Sequence, residues 1–147
     1  RIVAVMLPPP VKKKYSREHV MLLVLIYYYK GFLSINDIQR LLGPIAERYF
    51  RNGKEYNLED IYREAFDMEE KQLQAMKEDV VEKFRAAQDA FPGAPKEDAD
   101  FLHKFAFICL LGYDVYLKKL MIEKMIDELT VPGKGKEGKK AAEAPEE

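Results

Sequence analysis

From Asn57 to Leu129 the chain carries two long runs of helical periodicity with one hard break between them, and this constrains the fold more than anything else. Leu58, Ile61, Tyr62, Ala65, Phe66, Leu73, Met76, Val80, Phe84, Ala87 and Phe91 recur at helical spacing over about nine turns. The step from Phe66 to Leu73 is a local slip that Met68 partly fills. Asn57 is placed to cap this helix, with Asp60 at the reciprocal position of a capping box. The opposite face carries Glu69, Glu70, Lys71, Lys77, Glu78 and Asp79. A charge-rich, solvated helix face accounts for these acids without any catalytic pairing. Pro92-Gly93-Ala94-Pro95 then ends the pattern, because proline lacks an amide donor and fixes φ. A last helix is expected from about Lys96 to Leu129, crowded with Phe101, Leu102, Phe105, Ile108, Cys109, Tyr116, Leu120, Met125, Ile126 and Leu129. Gly112 in its middle marks a kink or a close helix contact. Residues 57–129 therefore read as a helical hairpin or bundle. The apolar positions of Phe101 to Leu129 exceed what one neighbouring helix covers.

Upstream, residues 1–7 are apolar with one charge and read as a strand or the end of a helix. Pro8, Pro9 and Pro10 stop either one. Ser16 offers an N-cap, with Glu18 in the first turn at the positive end of the helix dipole. That helix runs from Arg17 to about Lys30. Val20, Leu23, Val24, Tyr27 and Tyr28 mark an apolar face, and Met21, Leu22, Leu25 and Ile26 make the helix apolar nearly all round, so a central buried helix is expected. Gly31 is a left-handed terminator by type. Ser34 caps a next helix with Asp37 three residues on, carrying Ile35, Ile38, Leu41 and Leu42. Gly43-Pro44 is expected to end it, with Pro44 opening a short helix through Phe50. Asn52-Gly53 reads as a turn.

The chain has 147 residues, enough for one domain, and 48% hydrophobic residues allow a real core. Its single cysteine, Cys109, excludes an internal disulfide and a cysteine zinc cage, and points to a reducing, cytoplasmic setting. His19 and His103 leave little for a metal or a histidine-based active site, and neither a metal nor a cofactor is expected. The longest apolar run, Val20 to Tyr29, is too short to cross a bilayer. The formal net charge of -1 hides an asymmetry. Residues 1–55 hold ten Lys and Arg against four acids, while 56–129 hold ten against seventeen. A basic first third on an acidic body fits a nucleic-acid reader with a separate oligomerisation or sensing part, although by itself such an asymmetry is more often a solvated surface with no partner. The segment 130–147 is polar and low in complexity, and disorder is expected there. Its Gly133-Lys134-Gly135-Lys136 lacks the full phosphate-loop pattern.

The stretch from Leu7 to Leu42 resembles the second half of a MerR-type winged helix-turn-helix domain. The residues that carry the resemblance are Leu7-Pro8-Pro9, the basic run Lys12 to Tyr15, Ser16-Arg17-Glu18, Gly31-Phe32-Leu33-Ser34-Ile35, and Ile38 to Leu42. The run Pro8 to Glu18 is nearest to a MerR-related bacterial domain family of unknown function. In the MerR pattern a first helix and a recognition helix precede the wing. Arg1-Ile2-Val3 supplies at most the recognition helix's last turn, and a first residue that is not Met reads as a fragment or a trimmed product. The resemblance implies a bacterial DNA-binding transcription regulator, acting as a homodimer on double-stranded DNA.

On this reading Lys12, Lys13, Lys14 and Tyr15 grip phosphates, which supply affinity without sequence information. Arg17, at a helix start that favours anions, joins them. Against it stands a solvated basic turn and a surface arginine. Tyr27-Tyr28-Tyr29 point about 100° apart on a helix, so they serve packing rather than a stacking platform. Cys109 reads as a small buried hydrophobe, with no cation nearby in sequence to stabilise a thiolate.

The expected architecture is all-α: a truncated winged-helix part at 1–43, a helical dimerisation or effector region at 44–129, and a disordered tail at 130–147. Strand content is at most a few wing residues. The alternative function is a helical interaction or oligomerisation module without DNA contact. An enzyme is not expected, since no nucleophile, base or metal constellation appears.

Overall fold

A computed structural model describes residues 10, 14–51 and 53–129. Among them the chain forms four α-helices, α1 Arg17–Lys30, α2 Ile35–Tyr49, α3 Leu58–Gln88 and α4 Ala99–Glu128, with a 3-10 turn at Lys96–Asp98 and no strand. The all-α class and the two long helices at 57–129 are as the periodicity implies. The winged-helix part at 1–43 has no strand among its described residues, and Lys12 and Lys13 lie outside them.

Local chemistry explains where the helices begin. The Asn57 side chain accepts from the amides of Glu59 at 2.9 Å and Asp60 at 3.4 Å, while the Asp60 carboxylate accepts from the Asn57 amide at 2.9 Å. Ser34 Oγ accepts from the Asp37 amide at 3.1 Å. At α1 the box is closed by an imidazole. Ser16 Oγ accepts from the His19 amide at 3.4 Å, and the Ser16 amide donates to His19 Nδ1 at 3.0 Å. These bonds satisfy amides that a helix start leaves without partners.

The core joins the first two helices to the end of the last one. Leu25 and Ile26 of α1, Leu33 of the turn, Ile38 and Leu42 of α2, and Ile126 of α4 are buried together, with Tyr62, Phe66 and Ile122 packed against them. Arg40 of α2 clamps the end of α4, donating to the Asp127 carboxylate at 2.6 Å and its carbonyl at 3.3 Å. The result is a head made of α1, α2, the first turns of α3 and the last turns of α4. From it the rest of α3 and α4 extends as a two-helix arm, each helix about 45 Å long at 1.5 Å per residue. Between residues 67 and 121 only Ala87 and Ala106 are buried, near the arm's tip, where Phe84 meets Phe107 edge-on at 5.5 Å.

Three sequence expectations are corrected. Gly43-Pro44 does not end a helix; both lie inside α2. Proline disfavours α geometry in the residue before it by clashing with that residue's Cβ. Gly43 has no Cβ, and Ile45 beyond it packs on the core, so the helix continues. Gly31 has φ -64, right-handed rather than left-handed; the turn closes instead through the Phe32 and Leu33 amides, which both donate to the Tyr29 carbonyl. Finally, α1 is not buried all round. His19, Met21, Leu22, Leu25 and Ile26 form its inner face, whereas Val20, Val24, Tyr27 and Tyr28 are exposed. Among the described residues, the other helices cover α1 from one side. The segment 130–147 lies outside the described residues, as do 1–9 and Asn52 of the Asn52-Gly53 turn.

Candidate nucleic-acid interface

Of the residues singled out in the sequence, Lys14, Tyr15 and Arg17 lie at the start of α1, while Lys12 and Lys13 are outside the described residues. Lys14 and Tyr15 are exposed, and Arg17 projects from the first turn with 80% of its side chain in solvent. The segment is nonetheless anchored. His19 is fully buried three residues on. Its Nδ1 lies 2.8 Å from Ser16 Oγ, the Tyr15 ring stands edge-on to the imidazole at 5.4 Å, and Phe50 closes the other side at 4.8 Å. A buried ring therefore holds Tyr15 and Ser16 against the head, with Lys14 and Arg17 exposed beside them. Nδ1 accepts the Ser16 amide, which leaves Nε2 carrying the ring proton.

The electrostatics around this end are mixed. Arg17 donates to the Glu59 carboxylate of α3 at 3.3 Å, and the Arg51 amide donates to Glu18 at 3.1 Å. An exposed ion pair of this kind is worth about 0–1 kcal/mol. Arg17 is thus loosely held and can exchange a carboxylate for a phosphate oxygen. Sequence reading missed Glu59, 42 residues away, because nothing local announces it. It also missed the anchoring role of His19, since a capping box is ordinarily closed by Glu or Gln.

Two other features bear on function. A cleft of about 320 Å³ between α1 and α3 is lined by Leu25, Tyr28, Tyr29, Phe66, Met68 and Met76, together with the polar Glu69 and Gln72. Burial, and then the neighbouring Tyr28, pushes the Tyr29 phenol above its ordinary pKa, so it stays neutral. The arm is the second feature. Of the 25 exposed large apolar side chains among the described residues, 18 lie between Met68 and Leu129. Cys109 is half-buried and His103 lies on the same helix; no group of three or more His, Cys, Asp or Glu among the described residues is placed to hold a metal ion.

Residues 4–65 match the model of a family described as a domain of unknown function (DUF1836). The matched span covers α1, α2 and the first two turns of α3, which is the head without the end of α4. The arm begins where the match ends. No curated protein and no solved structure matches the chain.

Proposed function

We propose that the chain is a DNA-binding transcription regulator of MerR type, whose head grips duplex phosphates through Lys12, Lys13, Lys14, Tyr15 and Arg17. The observation that carries this reading is the anchor at Tyr15-Ser16-His19. A solvated basic turn needs no buried imidazole to fix it, whereas a phosphate grip gains from cations held in one place before the ligand arrives. Lysines near a helix start meet phosphates, which look alike under every base pair, so this contact is independent of sequence.

The test is a salt titration of binding to duplexes of unrelated sequence. Lys12, Lys13 and Lys14 changed together to Ala weaken binding equally on all of them. The log-affinity versus log-salt slope flattens by about 0.9 per lost contact, up to about 2.7. An unchanged slope and affinity would sink the reading. It would favour a second one, a helical interaction module without DNA contact, which the uncovered arm supports on its own.

A further inference from the structure

The cleft between α1 and α3 lies at the far end of α1 from the basic residues. Leu25, Tyr28 and Tyr29, three and four residues apart, form one wall from a single face of α1. The opposite wall is a face of α3 that includes Met68, Gln72 and Met76. The inner part of the cleft is fixed, because Leu25 is buried and both Tyr29 and Phe66 pack against the head core. Its mouth is open, with Tyr28, Met68 and Met76 exposed. Its volume, about 320 Å³, falls in the range of small-molecule sites, roughly 300–1,000 Å³.

Among the described residues that line the cleft, Glu69 alone carries a formal charge. The positions three and four residues from it on α3 are Ala65, Phe66, Gln72 and Leu73, so its own helix offers it no cation. No ion pair reaches it from elsewhere among the described residues. Glu59 and Asp79 of the same helix, by contrast, are held by Arg63 and Lys83. Burial keeps the Tyr29 phenol neutral. The cleft therefore sets one uncompensated carboxylate beside three aromatic rings and two thioethers. Aromatic faces attract cations. Thioethers adapt to irregular apolar bodies.

We propose that this cleft binds a small apolar amine, an arylalkylammonium whose charged head lies against Glu69 and the tyrosine rings and whose apolar body lies among Phe66, Met68 and Met76. Charge selects this class over others. A fatty acid or a nucleotide would bring a second negative charge to Glu69, with no Lys or Arg among the lining residues to receive it. An uncharged hydrophobe would take water from the carboxylate and give it no partner, which costs free energy. Only a cation with an apolar body matches both parts of the lining.

The site does not depend on the DNA-binding reading, and its test contains no DNA. Phenylbutylamine, phenylbutanol and phenylbutyrate share one skeleton and differ in charge at neutral pH. Each is titrated into the full chain, labelled at its methionine methyl groups, and followed by NMR. The amine shifts the Met68 and Met76 signals and saturates with a Kd on the order of 0.1–1 mM, as expected for a ligand of this size. Met121 and Met125, outside the cleft, do not move. The alcohol binds about 5- to 10-fold more weakly, and the carboxylate more weakly still. Glu69→Gln, at an exposed position, brings the Kd of the amine to within about twofold of that of the alcohol and leaves the alcohol unchanged. Tyr28→Ala, also at an exposed position, weakens the amine about tenfold by removing a ring. Equal affinity for the three compounds overturns the proposal. So does an unchanged amine Kd in Glu69→Gln, or the absence of any Met68 or Met76 shift up to about 10 mM amine.

Discussion

His19 shows how much one residue can carry that its neighbours in sequence do not announce. As a lone histidine at a helix start it reads as a packed or exposed ring. In the fold it is fully buried, caps α1 in place of the usual acid, and is wedged between Tyr15 and Phe50. His19→Ala removes a close-packed ring and a hydrogen bond whose donor, the Ser16 amide, is left part-buried. The expected loss is about 2–4 kcal/mol, the range for large-to-small core substitutions. Urea unfolding followed by circular dichroism measures it. A loss below about 0.5 kcal/mol would mean that the imidazole is not what fixes this end of the head.

At the scale of elements, the caps were legible and the breakers were not uniformly so. Ser16, Ser34 and Asn57 lie where the expected helices start, because a side-chain acceptor before an apolar run is a local signal that packing rarely overrides. α3 ends at Gln88, three residues short of the expected Phe91, and Pro92 to Pro95 lies in the connection that separates it from α4. Gly43-Pro44 misled for a physical reason: one of the clashes by which proline disfavours a helix is with the Cβ of the residue before it, which Gly43 lacks, and tertiary burial of Ile45 favours continuation. The pair is therefore coupled. Gly43→Ala alone sets a Cβ against the Pro44 ring and destabilises by about 1 kcal/mol, although beyond its chain neighbours and the nearby backbone of α2 no atom lies within 4 Å. Pro44→Ala alone stabilises, by up to about 2 kcal/mol, through the restored amide donor. With Pro44→Ala already present, Gly43→Ala changes sign and stabilises by about 1 kcal/mol, the ordinary glycine-to-alanine gain. A thermodynamic cycle of the four proteins checks this. Simple additivity would show that the ring and the missing Cβ do not interact.

The faces of the helices were the hardest part to read. α1 and α4 are apolar nearly all round, so periodicity alone does not say which side is covered. In α1 the covered side holds His19, Leu22 and Ile26, and the exposed tyrosines follow by default. In α4 the stripe Phe101, Phe105, Ile108, Val115, Ile122 and Ile126 was present in the sequence but hidden among equally apolar neighbours. It emerges only once Ile122 and Ile126 are seen in the head core while the same stripe continues bare toward the tip. The basic end was legible as a charge pattern, but its bracing was not, because it rests on Phe50 and Glu59, far along the chain.

For the whole molecule, the DNA-binding reading and the homodimer that the MerR resemblance implies together make a prediction that neither makes alone. Two basic ends held in one assembly engage one duplex of about 30 base pairs, while a duplex of about 12 engages a single end. The second contact is intramolecular and raises affinity by about 100-fold or more without any new kind of interaction. It also roughly doubles the salt slope on the long duplex, because twice as many phosphates are neutralised. Fluorescence anisotropy with both duplexes across a salt series measures this. Equal affinity and equal slope on the two lengths would show that each basic end acts alone.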